Sequence, residues 1–338
     1  MLNIIDSHIT LAHGNGGRMM RELIETLFAR HLKNELLDTQ VDAALIPLDI
    51  GVGEIMVSTD GFTVEPLEFP GGNIGSLAVH GTINDLAVSG AKPLYLTLNA
   101  FIEEGLEIEV LDRVLQSMSQ ACRDSGVRVV AGDTKVLRRG QGGGIYFATT
   151  GIGIRPADLK LGIDQIREND LILISGSVGD HGTAVLLARE QFGLSGELES
   201  DSANVLAITQ ALCEFPGLRF MRDPTRGGLA TVAHEIARSA NVAVHLNEPD
   251  IPILDPVNAV CEMLGYDPLY LASEGRVVAV IKPEDAELAI DRLKGLGYMD
   301  AAIIGLIKKG ESQVVLKTEL GGERILQELE DDPLPRIC

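Results

Sequence analysis

The length and charge of the chain limit its architecture and its partners. At 338 residues, with 37 glycines and no tryptophan, it exceeds a typical single hydrophobic core and has the composition of an α/β enzyme with many tight turns, so we expect two domains. A formal net charge of −21 repels phosphate backbones and anionic lipid headgroups. We therefore do not expect nucleic acid or membrane surfaces to be partners.

Hydrophobic periodicity in the first half predicts helices alternating with strands. Gly72 and Asn73 are expected to begin the second helix, and Gly126 is expected to end the third. The predicted helices cover residues 17–33, 74–89 and 108–125, and the predicted strands cover residues 43–48, 55–59, 94–102, 127–131 and 145–154.

A polar, charged stretch over residues 155–170 marks the predicted domain boundary. We expect an N-terminal domain over residues 1–155, a C-terminal domain over residues 156–330 and a mobile tail over residues 331–338. The alternation in the second half predicts another α/β domain. Its predicted helices are 183–192, 203–213, 229–239 and 284–296, and its predicted strands are 171–174, 242–246, 276–281 and 301–307.

The cysteines and the N-terminus indicate the compartment. Cys122, Cys213, Cys261 and Cys338 form no Cys-x-x-Cys pair and have no zinc-site spacing, which indicates a reducing environment. The first residues lack the basic start and the apolar stretch of a signal peptide, and no apolar run approaches membrane-spanning length. We expect a cytoplasmic protein.

Carboxylates placed where predicted elements meet turns form a candidate metal site, with Asp42, Asp60, Asp85 and Asp133 as its members. Asp60 and Asp133 each follow an apolar strand and are expected at its carboxyl end. Asp85 falls inside an apolar helix, where a carboxylate is costly unless it is paired or binds a metal. Mg²⁺ takes oxygen ligands and relieves the repulsion between carboxylates. For every member except Asp85, a turn or helix cap is the alternative.

A glycine-rich loop before the first helix is a candidate phosphate-binding element, formed by Gly14, Asn15, Gly16 and Gly17. It lacks the Gly-Lys-Ser/Thr ending of a Walker A loop, so a flexible turn is the alternative. Lys135 is a candidate phosphate contact or a solvated surface lysine. The polar turns at residues 175–182 and 223–229 either line a cleft or only connect elements, and Glu274 is a candidate base or a simple cap.

The chain ends in a tail that carries a thiol. Pro333 and Pro335 keep this tail extended, and eight extended residues reach roughly 25 Å. That reach is enough to carry Cys338 from solvent into a cleft. An accidental terminal cysteine is the alternative on composition alone.

Together these segments resemble an ATP-binding superfamily that includes aminoimidazole ribonucleotide synthetase, selenophosphate synthetase, thiamin-monophosphate kinase and the hydrogenase maturation factor HypE. The resemblance covers nearly the whole chain and is close to the HypE family. The terminal Pro335-Arg336-Ile337-Cys338 is its most specific element, because the sister families lack it. The other matching segments are residues 13–17, 69–75, 84–91, 132–135 and 223–228.

The resemblance implies a fold and a nucleotide site. It implies a homodimer in which the N-terminal sheets of two chains pair into a β-barrel, followed by a C-terminal α/β sandwich. ATP would lie between the domains, with its phosphates held through Mg²⁺ by the four aspartates. Gly14, Asn15, Gly16, Gly17, Asn84 and Lys135 are the remaining nucleotide-binding residues implied.

The resemblance also implies a reaction on the chain's own Cys338. A partner, HypF, would place a carbamoyl group on the sulfur, and ATP-dependent dehydration would convert it to a thiocyanate. The cyanide would then pass to a HypC–HypD complex for the iron of [NiFe] hydrogenase. Lys135 would neutralise charge on the transferred phosphoryl group, and Glu274 or a nearby aspartate would remove the nitrogen protons.

Three alternatives stay open at this point. A selenophosphate synthetase is disfavoured, because the glycine loop carries Asn15 where that family has a sulfur or selenium residue. A thiamin-monophosphate kinase fits residues 42–44, but it has no use for Cys338. A non-catalytic ATP-binding partner protein could use Cys338 as a tether or in a mixed disulfide.

Overall fold

The chain folds into two compact units. The computed structural model describes residues 7–14, 18–37, 51, 53–189, 198–329, 334 and 336–338. The first unit comprises Met1–Leu86, Ala91–Arg155 and Cys338, and the second comprises Ala87–Gly90 and Pro156–Ile337. Within the described ranges each unit combines a mixed β-sheet with helices. This arrangement confirms the predicted α/β class.

The first unit is built from long strands and a few helices. Its described strands are β1 (Gly53–Phe62), β2 (Glu68–Phe69), β3 (Gly72–Asn73), β4 (Lys92–Glu103), β5 (Arg128–Leu137) and β6 (Ile145–Pro156). Its described helices are α1 (Arg18–Leu23), α2 (Ala29–Leu32), α3 (Ile74–Val88) and α4 (Ile108–Ser125), with a π-helical turn, Ile24–Phe28, between the first two.

The main sheet of the first unit has the strand order β1-β6-β4-β5 in the part of the chain that is described. In β4, Asn99 pairs with Ala148 of antiparallel β6 and with Asp133 of parallel β5. Leu98 is buried while Asn99 and Phe101 are exposed. One face of the sheet is therefore apolar and covered, and the other is accessible.

Helix α3 lies on the covered face and begins at a side-chain cap. Asn73 Oδ1 accepts hydrogen bonds from the N–H groups of Gly75, at 2.9 Å, and Ser76, at 3.3 Å, which confirms the predicted start. A Cβ on Gly75 would lie 2.1 Å from the carbonyl oxygen of Val114 in α4. Only glycine therefore allows α3 and α4 to approach this closely.

The predicted position of two aspartates at strand ends is wrong. Asp60 lies within β1, and Asp133 lies within β5. A strand continues as long as its backbone finds a pairing partner, whether or not the side chains are apolar. Asp133 still pairs with Asn99, so β5 extends to Leu137.

The second unit has a larger sheet. Its described strands are β7 (Leu171–Ile174), β8 (Leu218–Arg222), β9 (Ala243–Asn247), β10 (Val278–Ile281), β11 (Ala302–Lys308), β12 (Gln313–Lys317) and β13 (Glu323–Leu326). Its described helices are α5 (Asp180–Arg189), α6 (Leu206–Cys213), α7 (Gly228–Ala240), α8 (Asp255–Leu264) and α9 (Pro283–Gly295). Among these residues the strand order is β13-β12-β9-β11-β7-β10-β8, and only the β12–β9 pair is parallel.

Helices cover both faces of this sheet. Ile172 and Ile174 of β7 belong to the same core cluster as Ile236 of α7, whereas Leu173 packs with Ile290 of α9. Burial on both faces explains why β7 and β10 read as continuous apolar runs. Among the described helices, none combines the length and the hydropathy needed to cross a bilayer.

Several elements were missed or shifted in the sequence prediction. Helix α8 and strands β8, β12 and β13 were not predicted, because short amphipathic segments give weak periodic signals. Helix α5 begins at Asp180, three residues earlier than predicted, and α6 begins at Leu206, three residues later than predicted. The predicted strand at residues 43–48 and the predicted helix end at residues 190–192 lie outside the described residues.

The close approach of α3 and α4 predicts a large difference between two glycine substitutions. Gly75→Ala should lower the free energy of unfolding by about 1–3 kcal/mol, because the new Cβ forces the helices apart. Gly295→Ala, at an open position in α9, should leave stability unchanged or raise it by up to about 1 kcal/mol. Chemical denaturation of both variants measures the difference, and equal stabilities would contradict this account.

Candidate functional site

Two of the predicted metal-binding carboxylates lie where α3 packs against β1. Ser58 Oγ donates a hydrogen bond of 2.6 Å to Asp85 Oδ2. Asp60 lies on the same face of β1 as Ser58, because alternate residues of a strand share a face. The Oδ2 atom of Asp60 lies 3.8 Å from the position that a Cβ on Gly81 would occupy. Because Gly81 precedes Asp85 by one helical turn, the two carboxylates face the same α3–β1 interface about 6 Å apart along the helix.

Asp133 lies on the opposite face of the sheet. Asp133 and Lys135 have side chains 51% and 56% exposed, and Thr134 between them is buried. Lys135 Nζ lies 2.8 Å from Asp133 Oδ2. This hydrogen bond lowers the pKa of Asp133, so the carboxylate stays ionised. Asp133 and its partner Asn99 point away from the face that α3 covers, so Asp133 does not join Asp85 within one chain.

The predicted metal set is therefore divided in the described part of the chain. Among the described residues, no three His, Cys, Asp or Glu side chains lie close enough together to hold a metal ion. Asp42 lies outside the described residues. The set of Asp42, Asp60, Asp85 and Asp133 stays a prediction, with Asp60 and Asp85 as the neighbouring pair.

The predicted nucleotide-binding residues are only partly described. Gly14 ends a short 3-10 helix, Leu11–Gly14, while Asn15, Gly16 and Gly17 lie outside the described residues. Asn84 is buried on α3, directly before Asp85. The nucleotide-binding role of these residues therefore stays a prediction.

The terminal cysteine is docked within the first unit. The carbonyl oxygen of Cys338 accepts hydrogen bonds from the Thr63 N–H, at 3.0 Å, and from the Thr63 hydroxyl, at 3.3 Å. Thr63 directly follows β1, three residues after Asp60, which is about 10 Å of extended chain. Cys338 is half-buried and does not form a disulfide. The terminal residue therefore lies near the strand that carries Asp60.

Of the other cysteines, Cys122 and Cys261 are buried and Cys213 is half-buried. Burial raises the pKa of the Cys122 thiol to about 12 and those of Cys213 and Cys261 to about 11. Nucleophilic reactions require the thiolate, so a raised pKa makes these three groups less reactive at neutral pH.

In the second unit, one carboxylate holds the segment that contains Glu274. Asp201 Oδ1 accepts a hydrogen bond of 3.0 Å from the Glu274 N–H, and Oδ2 accepts one of 3.4 Å from the Gly275 N–H. A Cβ on Gly275 would lie 1.9 Å from the carbonyl oxygen of Asp201. Glu274 is buried in a connection that leads to β10, so its reading as a helix cap is wrong.

A guanidinium offsets the buried charge next to this segment. Arg276 Nε lies 3.5 Å from Asp201 Oδ2, and Nη2 lies 3.1 Å from Asp180 Oδ2, which also accepts a hydrogen bond from Ser177 Oγ. Burial raises the pKa of Asp180 and of Asp201, and Arg276 opposes that rise. Asp180, Asp201 and Arg276 therefore form a buried ion network, in which the loss of one partner leaves another buried charge uncompensated.

The polar turns predicted as separate candidates converge on residues 271–276. The Gly179 N–H donates to Ser273 Oγ at 3.0 Å, and the Ser273 N–H donates to the carbonyl of Pro224 at 2.9 Å. The turns at residues 175–182 and 223–229 are therefore assembled around the Glu274 segment. The sequence indicated each turn separately, but it did not indicate that both turns contact the same segment.

Four residues that contact the candidate groups were not singled out from the sequence: Ser58, Thr63, Asp201 and Arg276. Ser58 could have been found, because it lies two residues before Asp60 and alternate strand residues share a face. Thr63, Asp201 and Arg276 contact residues that are distant in the chain, and such contacts cannot be predicted from sequence spacing.

The buried ion network predicts a large cost for removing its cation. Arg276→Met should lower the free energy of unfolding by about 3–5 kcal/mol, because two buried carboxylates lose their counter-charge. Arg292→Met removes an exposed ion pair with Glu214 and should cost no more than about 1 kcal/mol. Urea denaturation of the two variants compares them directly, and similar costs would contradict a buried network.

Known proteins similar to this chain share both domains. Residues 40–155 match the AIR synthase related protein, N-terminal domain, and residues 167–317 match the AIR synthase related protein, C-terminal domain. Carbamoyl dehydratase HypE of Azotobacter vinelandii is 44% identical, over 100% of this chain and 99% of the relative.

Solved structures agree with this relationship. A crystal structure of HypE in complex with ATP is 43% identical with a TM-score of 0.92, covering 97% of this chain and 99% of that chain. A chain from a crystal structure of a HypE–HypF complex is 40% identical with a TM-score of 0.79, covering 92% of this chain and 99% of that chain. The chain therefore belongs to the HypE carbamoyl dehydratase family of AIR synthase related proteins.

Proposed function

We propose that this chain uses ATP to dehydrate a carbamoyl group carried on its own Cys338. The product is a thiocyanate that supplies the cyanide ligand for the iron of [NiFe] hydrogenase. The observation that carries the proposal is the docking of Cys338 on Thr63, close to the strand that bears Asp60. The relatives named carbamoyl dehydratase support it, because they match this chain over its full length.

The carbamoyl oxygen is a poor leaving group, and the reaction requires its conversion into a good one. The γ-phosphoryl group of ATP is transferred to the carbamoyl oxygen, which then leaves as phosphate while the nitrogen loses its protons. The sulfur–carbon bond of Cys338 is retained throughout. ADP, phosphate and the cyanated cysteine are the products, so the adduct loses the elements of one water.

The oxygen donors at the α3–β1 interface fit Mg²⁺. Asp60, Asp85 and Ser58 supply carboxylate and hydroxyl oxygens, the ligand type that this cation prefers. Asp42 and Asp133 stay members of the predicted metal set, although Asp133 lies on the face of the sheet opposite Asp60 and Asp85. Bound Mg²⁺ would offset the negative charge of the ATP phosphates.

Lys135 and Glu274 are the remaining proposed catalytic residues. Lys135 is a half-exposed ammonium that would neutralise charge developing on the transferred phosphoryl group. Glu274 is the proposed base for the nitrogen protons. The hydrogen bonds from its segment to Asp201 restrict its backbone, which holds it ready for that role.

The accessible face of the first unit's sheet supports the proposed homodimer. Ile55, Val57 and Phe101 lie on the face opposite α3 and are 49%, 64% and 36% exposed. An exposed apolar sheet face favours burial against another molecule, and the same face of a second chain would close a β-barrel. We further propose that the tail is mobile, that HypF carbamoylates Cys338 and that the cyanide is delivered to a HypC–HypD complex. The proposed location of the protein is the cytoplasm.

The central prediction concerns the covalent carrier. After treatment with HypF and its carbamoyl donor, and then with ATP and Mg²⁺, intact-mass spectrometry should show an adduct on Cys338 that loses one water. Cys338→Ala should form no adduct, and the matched variant Cys213→Ala should behave as wild type, because burial raises the pKa of the Cys213 thiol to about 11.

Adduct formation and dehydration in the Cys338→Ala variant would rule out the carrier role. The same experiment separates the alternatives. A superfamily phosphotransferase or an ATP-binding partner protein would show no ATP-dependent loss of water from Cys338.

A second prediction concerns Asp85. Asp85→Asn should slow ATP-dependent dehydration by about 100-fold, because a neutral amide is a weaker ligand for Mg²⁺. The fold should survive, since the amide oxygen can still accept the hydrogen bond from Ser58. Asp291→Asn, at an exposed site on α9, is the control for losing one carboxylate. Normal turnover in the folded Asp85 variant would remove Asp85 from the metal site.

A further inference from the structure

A buried histidine of the second unit contacts the tail directly before its last residue. His181 Nε2 lies 2.7 Å from the carbonyl oxygen of Ile337, and Nδ1 lies 2.7 Å from Ser200 Oγ. A carbonyl oxygen can only accept, so Nε2 carries the proton and donates it. The His181 side chain has no exposed surface.

The protonation state of this imidazole follows from its surroundings. Burial lowers the pKa of His181 to about 4, against the opposing effect of the hydrogen bond to Ile337 and with a smaller contribution from Arg189, so the ring is neutral at physiological pH. Nδ1 is then an acceptor for the Ser200 hydroxyl. The Ser202 N–H donates to Ser200 Oγ at 3.0 Å, which turns the hydroxyl proton toward His181. This chain of hydrogen bonds fixes the tautomer that can hold the tail.

Other contacts define a docked conformation of the tail on the second unit. Arg189 Nη2 donates to the carbonyl oxygen of Arg336, and the side chains of Leu334 and Ile337 are buried. Arg336 has a φ of 56°, in the left-handed region that disfavours L residues by roughly 1–2 kcal/mol. Neighbouring contacts must therefore hold this backbone in place.

The same short segment of the second unit serves both the tail and the proposed base. Ser200 orients His181, and the adjacent Asp201 accepts hydrogen bonds from the Glu274 and Gly275 N–H groups. A shift of this segment would move the tail anchor and the Glu274 backbone together.

We propose that His181 is a positioning residue that docks the C-terminal tail through the Ile337 carbonyl and so presents Cys338 for reaction. Ser200 supports it by fixing the Nε2-protonated tautomer. This inference rests on the proposed role of Cys338 as the carrier. It adds that undocking of the tail requires loss of one specific hydrogen bond, between His181 Nε2 and the Ile337 carbonyl.

The test is the rate at which iodoacetamide alkylates Cys338 in the full chain, followed by peptide mass spectrometry. His181→Leu should raise that rate about tenfold, because a buried carbonyl loses its donor and the undocked tail is more populated. His181→Gln can present an amide N–H near the position of Nε2 and should restore the rate to within about threefold of wild type. Cys122 and Cys261 should stay unmodified in every folded sample.

A matched control separates tail docking from general loosening. His234 Nε2 also donates to a backbone carbonyl, that of Leu326, at 3.1 Å. His234→Leu should leave the alkylation of Cys338 unchanged. A wild-type rate in folded His181→Leu, or equal acceleration by His234→Leu, would overturn the proposal.

Ser200→Ala covers the case in which His181→Leu does not fold. It keeps the imidazole but removes the hydroxyl that fixes the tautomer, and alkylation should rise severalfold. In that case a wild-type rate in Ser200→Ala would overturn the proposal. The measurement uses neither ATP nor a carbamoyl donor, so it fails or succeeds independently of the dehydration assay.

Discussion

The buried carboxylate of Asp201 is the constraint on which the second unit's candidate chemistry depends. It accepts hydrogen bonds from the N–H groups of Glu274 and Gly275 and lies next to the guanidinium of Arg276. A buried charge of this kind is tolerated only while its partners stay in place, so each of them restrains the others. The result is a rigid frame for Glu274 in a region that otherwise consists of connections between strands and helices.

The described part of the tail contacts the folded chain through backbone carbonyls. The carbonyls of Arg336, Ile337 and Cys338 each accept hydrogen bonds from the folded chain. A hydrogen bond of this kind contributes about 0.5–1.5 kcal/mol net. The proposed carrier role would require the tail to undock, because the sulfur would have to be loaded, to react and to deliver its cargo.

Much of the secondary structure could be predicted from local signals. Helix α4 coincides with the prediction for residues 108–125, because a regular apolar stripe ends at Gly126 in the left-handed conformation. Asn73 was expected to begin α3 and does so through its side chain. The aspartates were placed less well, because the end of an apolar run does not end a strand whose backbone still has a partner.

The amino-acid sequence by itself determined the α/β class, the terminal thiol and the candidate carboxylates, because periodicity, composition and motif spacing are local properties. Only the tertiary structure decided that Asp60 and Asp85 face one interface while Asp133 lies on the other side of the sheet. That outcome depends on strand register and on which face α3 covers. It also decided that His181 meets Ile337, 156 residues later in the chain, since such a contact exists only after both segments have packed.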